Sequence, residues 1–96
     1  MSIEDMVARH NAYNQISQEL VDGKCDPLFV RMIVKYISFM HGRVINIRDI
    51  IRRFYYDELV GFIRELFYCA EDCMENEIGY KDSQKIVEYV KMHMKT

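Results

Sequence analysis

The sequence predicts an all-α fold, a single compact domain of about five helices that spans residues 1–96. The chain contains one Pro and four Gly, so few turns are expected and long helices are favoured over many short strands. Half of the residues are apolar, and in most segments they recur three and four positions apart, as on one face of a helix. A chain of 96 residues is long enough to form one core. We expect the helices near 28–40 and 58–75 to lie at its centre.

The first helix is predicted over residues 3–22. Ser2 followed by Asp5 resembles a capping box with the shorter acid. Gly23 suits the position after the helix, where a left-handed conformation costs glycine nothing. The inward face is then formed by side chains at a spacing of three and four, namely Ile3, Met6, Val7, His10, Tyr13, Ile16 and Leu20.

The second helix is predicted over residues 27–40, between the pair Asp26-Pro27 and Gly42. An aspartate can cap free N–H groups, and proline at the first helical position gives up an N–H that has no partner there. The segment is apolar on nearly every side, so we expect neighbouring helices to cover it. A strand is the alternative for so many β-branched and aromatic residues, but the length and these end signals favour a helix. One polar stripe interrupts it, at Arg31, Lys35 and Ser38.

Start signals place the remaining three helices. Asn46 precedes a short, isoleucine-rich third helix of two to three turns. Asp57 is predicted to cap the fourth helix, which has a wide apolar face and should stop at Gly79. Asp82 or Ser83 is predicted to cap the fifth helix.

The charges divide the chain into acidic, basic and acidic blocks. Residues 1–23 hold one Arg against four acids, a net of −3, and residues 54–96 hold five basic against nine acidic residues, a net of −4. Residues 24–53 hold seven Lys and Arg against two Asp, a net of +5. Either these blocks neutralise one another within the fold, or the middle block forms a basic face for an anionic partner.

The sequence argues against secretion and against a membrane partner. The acidic start SIEDM lacks the positive region of a signal peptide. The apolar run at 28–40 is about 13 residues long and contains two cations, which is too short to span a bilayer. Three cysteines are an odd number, and no secretory segment precedes them, so we expect reduced thiols and a cytoplasmic location.

No residues are predicted to be catalytic, to bind a cofactor or to ligate a metal. Cys69 and Cys73 are i, i+4, and with Cys25 and one histidine they could form a zinc site, but no Cys-x-x-Cys pair is present. Cysteines packed in the core are the simpler interpretation. The histidines are scattered, at positions 10, 41 and 93, and we expect His10 to be a hydrogen-bonded core residue. We therefore expect no enzyme, no cofactor and no small-molecule substrate.

The basic block supports nucleic-acid binding as an alternative function. Arg48 and Arg52 are i, i+4 and point the same way on the third helix, beside the polar stripe of the second. Two neighbouring helices could thus grip phosphates. The six candidate residues are Arg31, Lys35, Arg43, Arg48, Arg52 and Arg53.

The order of helices over roughly residues 28–70 resembles the three-helix core of a winged helix-turn-helix protein. The resemblance implies that the helix after the turn would enter the major groove of DNA. That helix begins with Asp57 and Glu58 and carries Glu65, which would repel phosphates, and only Arg64 opposes them. Residues 75–80 supply no basic wing.

Large apolar side chains exceed what a domain of this size can bury. Seven Met, seven Tyr and five Phe give a composition that is typical of protein interfaces. We therefore expect a small protein–protein interaction module, a regulator or adaptor that binds another protein or forms a homodimer. Such a short chain is typical of a viral or phage accessory factor as well as of a cellular one. The candidate partner-binding residues are Tyr55, Tyr56 and Tyr68.

Overall fold

Five α-helices account for most of the residues that the computed structural model describes, 2–72 and 79–95. This confirms the all-α prediction, and the described residues form one globule. The radius of gyration, 12.7 Å, is close to the roughly 12.5 Å expected of one folded domain of this length. The helices are α1 (Ile3–Asp22), α2 (Pro27–His41), α3 (Ile47–Arg53), α4 (Tyr56–Asp72) and α5 (Tyr80–Met94).

The first two helices begin at the residues that the sequence predicts, and α1 also ends where predicted, whereas α2 ends one residue later than predicted, at His41. The Ser2 hydroxyl accepts a first-turn N–H of α1 at 3.1 Å, and the Asp26 carboxylate accepts one of α2 at 2.8 Å. Gly23 and Gly42 follow the two helices with φ of 72° and 67°. This left-handed conformation favours glycine, so both glycines end their helices for the predicted reason.

Two predicted caps are wrong, by two positions for α4 and by three or four positions for α5. Asp57 lies inside the first turn of α4, and the carboxylate of Glu58 instead accepts the N–H of Tyr55 at 3.0 Å. α5 begins at Tyr80, before both Asp82 and Ser83, and no side chain caps it. The predicted end of the fourth helix at Gly79 cannot be compared, because residues 73–78 lie outside the described part. The sequence signals were ambiguous because several cap-forming residues stand close together at each start.

The core lies where α1, α4 and α5 pack against one another, with α2 packed across α4 and α5. The short α3 packs on α2. α2 was expected at the centre, and it does bury Phe29, Ile33 and Ile37 almost completely. Its last turn reaches beyond its neighbours, however, and leaves Phe39 and Met40 more than half exposed.

A polar cluster fastens α5 to the end of α1 and to the turn that follows it. The hydroxyl of Tyr89 donates to Glu19 at 3.2 Å, accepts the N–H of Asp26 at 3.3 Å and lies 3.4 Å from the sulfur of Cys25. His93 also bonds Glu19 through its Nε2 atom. Burial raises the pKa of Tyr89 and raises the pKa of Cys25 to about 11, so both groups are neutral near pH 7.

Candidate functional site

A groove of about 720 Å³ lies between α1 and α4. Its apolar wall on α1 is formed by Ile3, Met6 and Val7, which are 79%, 58% and 52% exposed. Tyr68, half exposed, lines the groove from α4. We call this the α1/α4 groove, and its lining is completed by Arg9, His10, Asn11, Tyr13 and Arg64.

An ion pair and an aromatic contact fix the direction of the two helices at this groove. Arg9 donates two hydrogen bonds to the carboxylate of Glu71, at 2.9 and 3.4 Å, and this pairing raises its pKa. The edge of the Tyr13 ring packs on Phe67 with the ring centroids 6.1 Å apart. α1 and α4 therefore run antiparallel, and Arg64 lies beside the part of α1 that follows Tyr13.

Two buried polar atoms in the groove have no hydrogen-bond partner among the described residues. They are the Nε of Arg9 and the hydroxyl of Tyr13. Burial raises the pKa of Tyr13, so its hydroxyl remains protonated and can donate. A buried polar group without a partner costs about 1–3 kcal/mol. These two atoms are shielded from solvent, and Arg9 and Tyr13 already interact with each other, since each side chain shifts the pKa of the other. The feature of this groove that an occupant would complement is its exposed apolar wall.

The structure separates the three tyrosines predicted to bind a partner. Tyr68 lines the α1/α4 groove. Tyr56 also lies beside α1, but its hydroxyl is already engaged, since it donates to the carbonyl oxygen of Asn14 at 2.6 Å. Tyr55 stands in the turn before α4 with 81% of its surface exposed, and it does not line the groove.

The α1 wall of the groove was not predicted from the sequence. Ile3, Met6 and Val7 have the spacing of a core face, and His10 was expected to be a hydrogen-bonded core residue, but all four are exposed. The first buried residue of α1 is Ala12. The predicted face was thus correct only for the second half of the helix, because α4 meets the first half through Arg9, which pairs with Glu71, and leaves these four side chains exposed.

The six residues of the predicted basic face are all exposed. In the part of the chain that the structure describes, none of their side chains forms a salt bridge or a hydrogen bond. The described acids therefore do not neutralise them through direct contacts. The residues are Arg31, Lys35, Arg43, Arg48, Arg52 and Arg53.

Ser38 brings part of this basic face together. Its hydroxyl bonds both the N–H and the carbonyl oxygen of Ile45, at 2.9 and 3.1 Å, which holds the α2–α3 connection against the last turns of α2. Ser38 lies on the same stripe of α2 as Arg31 and Lys35. The connection that Ser38 holds therefore lies at the end of that stripe. We call the resulting surface the basic corner, and it consists of Arg31, Lys35, Phe39, Arg43, Val44 and Arg48.

The cysteines and histidines do not meet at one site. Among the described residues, no group of three or more His, Cys, Asp or Glu could hold a metal ion. Cys25 is buried in the polar cluster, whereas Cys69 lies on α4, and neither forms a disulfide with another described residue. Cys73 lies outside the described residues. His41 is exposed and stacks on Phe54, with the ring centroids 5.3 Å apart.

No protein-family model, no curated protein and no solved structure matches this chain. The resemblance of α2, α3 and α4 to a winged helix-turn-helix core thus stays a similarity of helix order. Asp57 and Glu58 lie in the first turn of α4 and are exposed. In a winged helix-turn-helix protein this turn would face the phosphates of DNA, so the two acids argue against DNA binding. None of the described helices has the length and apolar character to cross a membrane.

Proposed function

We propose that this protein is a small, non-enzymatic interaction module that associates with itself through the α1/α4 groove and acts as a regulator or adaptor. The observation that carries the proposal is the row of exposed apolar side chains on α1 that lines one groove together with the half-exposed Tyr68 of α4. Exposed apolar surface of this kind is stabilised by burial at about 25 cal/mol per Å².

A second copy of the chain fits the charges at the two ends of the groove. Glu4 and Asp5 are exposed in the first turn of α1, next to Ile3 but outside the lining of the groove, and Arg64 lies toward the other end of the groove. A two-fold axis through the middle of the groove would place the acids of each copy opposite Arg64 of the other. The groove is therefore complementary to itself in charge, and apolar in between.

Two matched pairs of variants test this proposal by sedimentation equilibrium. Val7→Ser and Tyr68→Ser remove apolar surface from the groove, and we expect each to raise the dissociation constant of the dimer by about tenfold or more. Val44→Ser and Tyr55→Ser make the same chemical changes at more exposed positions outside the groove. These two controls should leave the dissociation constant unchanged. Equal effects within each pair would contradict the groove as the interface.

Nucleic-acid binding through the basic face is the second candidate function. It is favoured by one observation, that all six cations are exposed and form no direct contact with a described acid. Binding to phosphates should weaken steeply with salt, and Arg48→Glu with Arg52→Glu should reduce it strongly. Titration of a mixed pool of short DNA and RNA at two salt concentrations tests it. Binding that is absent at low salt would exclude this function.

We also propose an intracellular, reducing location. Cys25 forms no disulfide with another described residue, and the polar cluster uses its sulfur as a hydrogen-bonding group. An oxidising compartment would expose such thiols to unwanted disulfide exchange. A role as a viral or phage accessory factor belongs to the same proposal and rests on the size and composition of the chain alone.

A further inference from the structure

We propose that the basic corner binds an acidic segment of a partner protein that carries apolar side chains among its acids. This site is separate from the α1/α4 groove and does not depend on self-association. It would give the protein two different binding surfaces, as an adaptor requires. The proposal names a chemical class of partner, an acidic and partly apolar peptide segment.

The charge of the corner selects an anionic partner. Arg31 and Lys35 are one turn apart on α2, and Arg43 follows in the connection. Arg48 is exposed in the first turn of α3. None of these four forms an ion pair with a described residue. A cluster of like charges without nearby counter-charges attracts anions and raises their rate of association.

The apolar side chains of the corner favour a partner that carries apolar groups as well as negative charge. Val44 is 95% exposed and stands directly beside Arg43, and Phe39 is 56% exposed one turn after Lys35. Residues four apart on a helix are neighbours on its surface, so Phe39 and Lys35 share one face. A base could stack on the ring of Phe39, but Val44 offers neither a ring for a base nor a donor for a phosphate. Apolar side chains of a peptide would bury it, so a protein segment fits the corner better than a nucleic acid does.

The corner is held in place before a partner arrives. The two hydrogen bonds of Ser38 fix Ile45, which is 3% exposed, and Asn46 caps α3 directly afterwards. The backbone that carries Arg43 and Val44 is therefore anchored at both ends. A surface that is already ordered loses less conformational entropy on binding, which favours affinity.

Fluorescence anisotropy with three labelled probes of equal length tests the inference on the full chain. The probes are a peptide of alternating glutamate and leucine pairs, a polyglutamate peptide and a single-stranded oligonucleotide. We expect the peptide that contains leucine to bind about tenfold more tightly than polyglutamate, because it also buries apolar surface. Lys35→Glu with Arg43→Glu should abolish binding of all three probes.

Two valine variants separate this site from the groove. Val44→Ser should weaken binding of the leucine-containing peptide several-fold and leave the dimer intact. Val7→Ser should weaken the dimer and leave binding of the leucine-containing peptide unchanged. Loss of self-association and loss of peptide binding can therefore be observed independently. Equal affinity for both peptides, or tightest binding of the oligonucleotide, would overturn the inference. So would a Val44→Ser protein that binds the leucine-containing peptide as well as the wild type does.

Discussion

The hydroxyl of Ser38 donates a hydrogen bond to the carbonyl oxygen of Ile45 and accepts one from its N–H, so one side chain satisfies both backbone groups of a buried residue. Ile45 is 3% exposed, and water has little access to those groups. The contact joins residues seven positions apart and folds the α2–α3 connection onto α2. The geometry of the basic corner depends on it.

Replacing Ser38 with alanine should destabilise the protein by about 2 kcal/mol, because two buried backbone groups lose their partner. Ser83→Ala is the matched control. Ser83 is buried, whereas Ser38 is only half-buried, and the Ser83 hydroxyl has no hydrogen-bond partner among the described residues. We expect that control to change the free energy of unfolding by less than about 0.5 kcal/mol. Urea unfolding of both variants checks the difference, and similar losses would show that the Ser38 contact is not needed.

Removing the hydroxyl of Tyr89 should loosen α5 from α1. Tyr89→Phe keeps the ring, which stacks on Phe29 at a centroid distance of 4.6 Å, but loses the bonds to Glu19 and Asp26. We expect a loss of about 1–2 kcal/mol in thermal or urea unfolding. Tyr68→Phe removes an exposed hydroxyl and should have almost no effect on unfolding. A Tyr89→Phe protein as stable as the wild type would mean that packing alone holds α5.

The buried thiol of Cys25 should make the protein less stable in alkali. Burial raises its pKa from an ordinary value of 9.0 to about 11. The unfolded chain therefore releases this proton at a lower pH than the folded chain does. Its contribution to stability is complete below about pH 9 and is lost as the pH rises toward about 11.

Urea unfolding measured between pH 8 and pH 11 tests this effect. We expect ionisation of this thiol to lower the free energy of unfolding by about 2 kcal/mol over that range. Cys25→Ser does not titrate in this range and should show a shallower decline. Burial raises the pKa of Tyr36, to about 12, in both proteins, whereas the raised pKa of Tyr89 depends on burial and also on its contact with Cys25. The difference between the two curves therefore reports the cysteine together with this contact. Parallel curves would contradict this assignment.

The sequence was sufficient for the helices whose ends carry one clear signal. Ser2 and Asp26 as caps and Gly23 and Gly42 as terminators lie where they were predicted, because each acts through its own local geometry. The start of α5 was missed, since a cap by Asp82 or Ser83 looks the same in the sequence as an acid or a serine inside the first turn. Only packing of the helix decides between them.

The candidate sites could be predicted only in part. The basic segment was recognised from its charge, and Tyr68 from its residue type, but neither argument could show which neighbours they would have. The groove depends on where α4 stops covering α1, and the corner depends on the contact between Ser38 and Ile45. Both depend on contacts between separate segments of the chain, which local sequence patterns do not show. For the basic corner, the one local sign in the sequence was Ser38, a polar residue on an apolar helix.

Sedimentation equilibrium of the purified protein at low and at high salt tests the central claim, self-association through apolar surface, most directly. Salt screens exposed charges but does not weaken apolar contacts. We predict a dimer at both salt concentrations that ignores a mixed pool of short DNA and RNA. A monomer at both concentrations would contradict the account, and a monomer that shifts with nucleic acid only at low salt would favour the basic face instead.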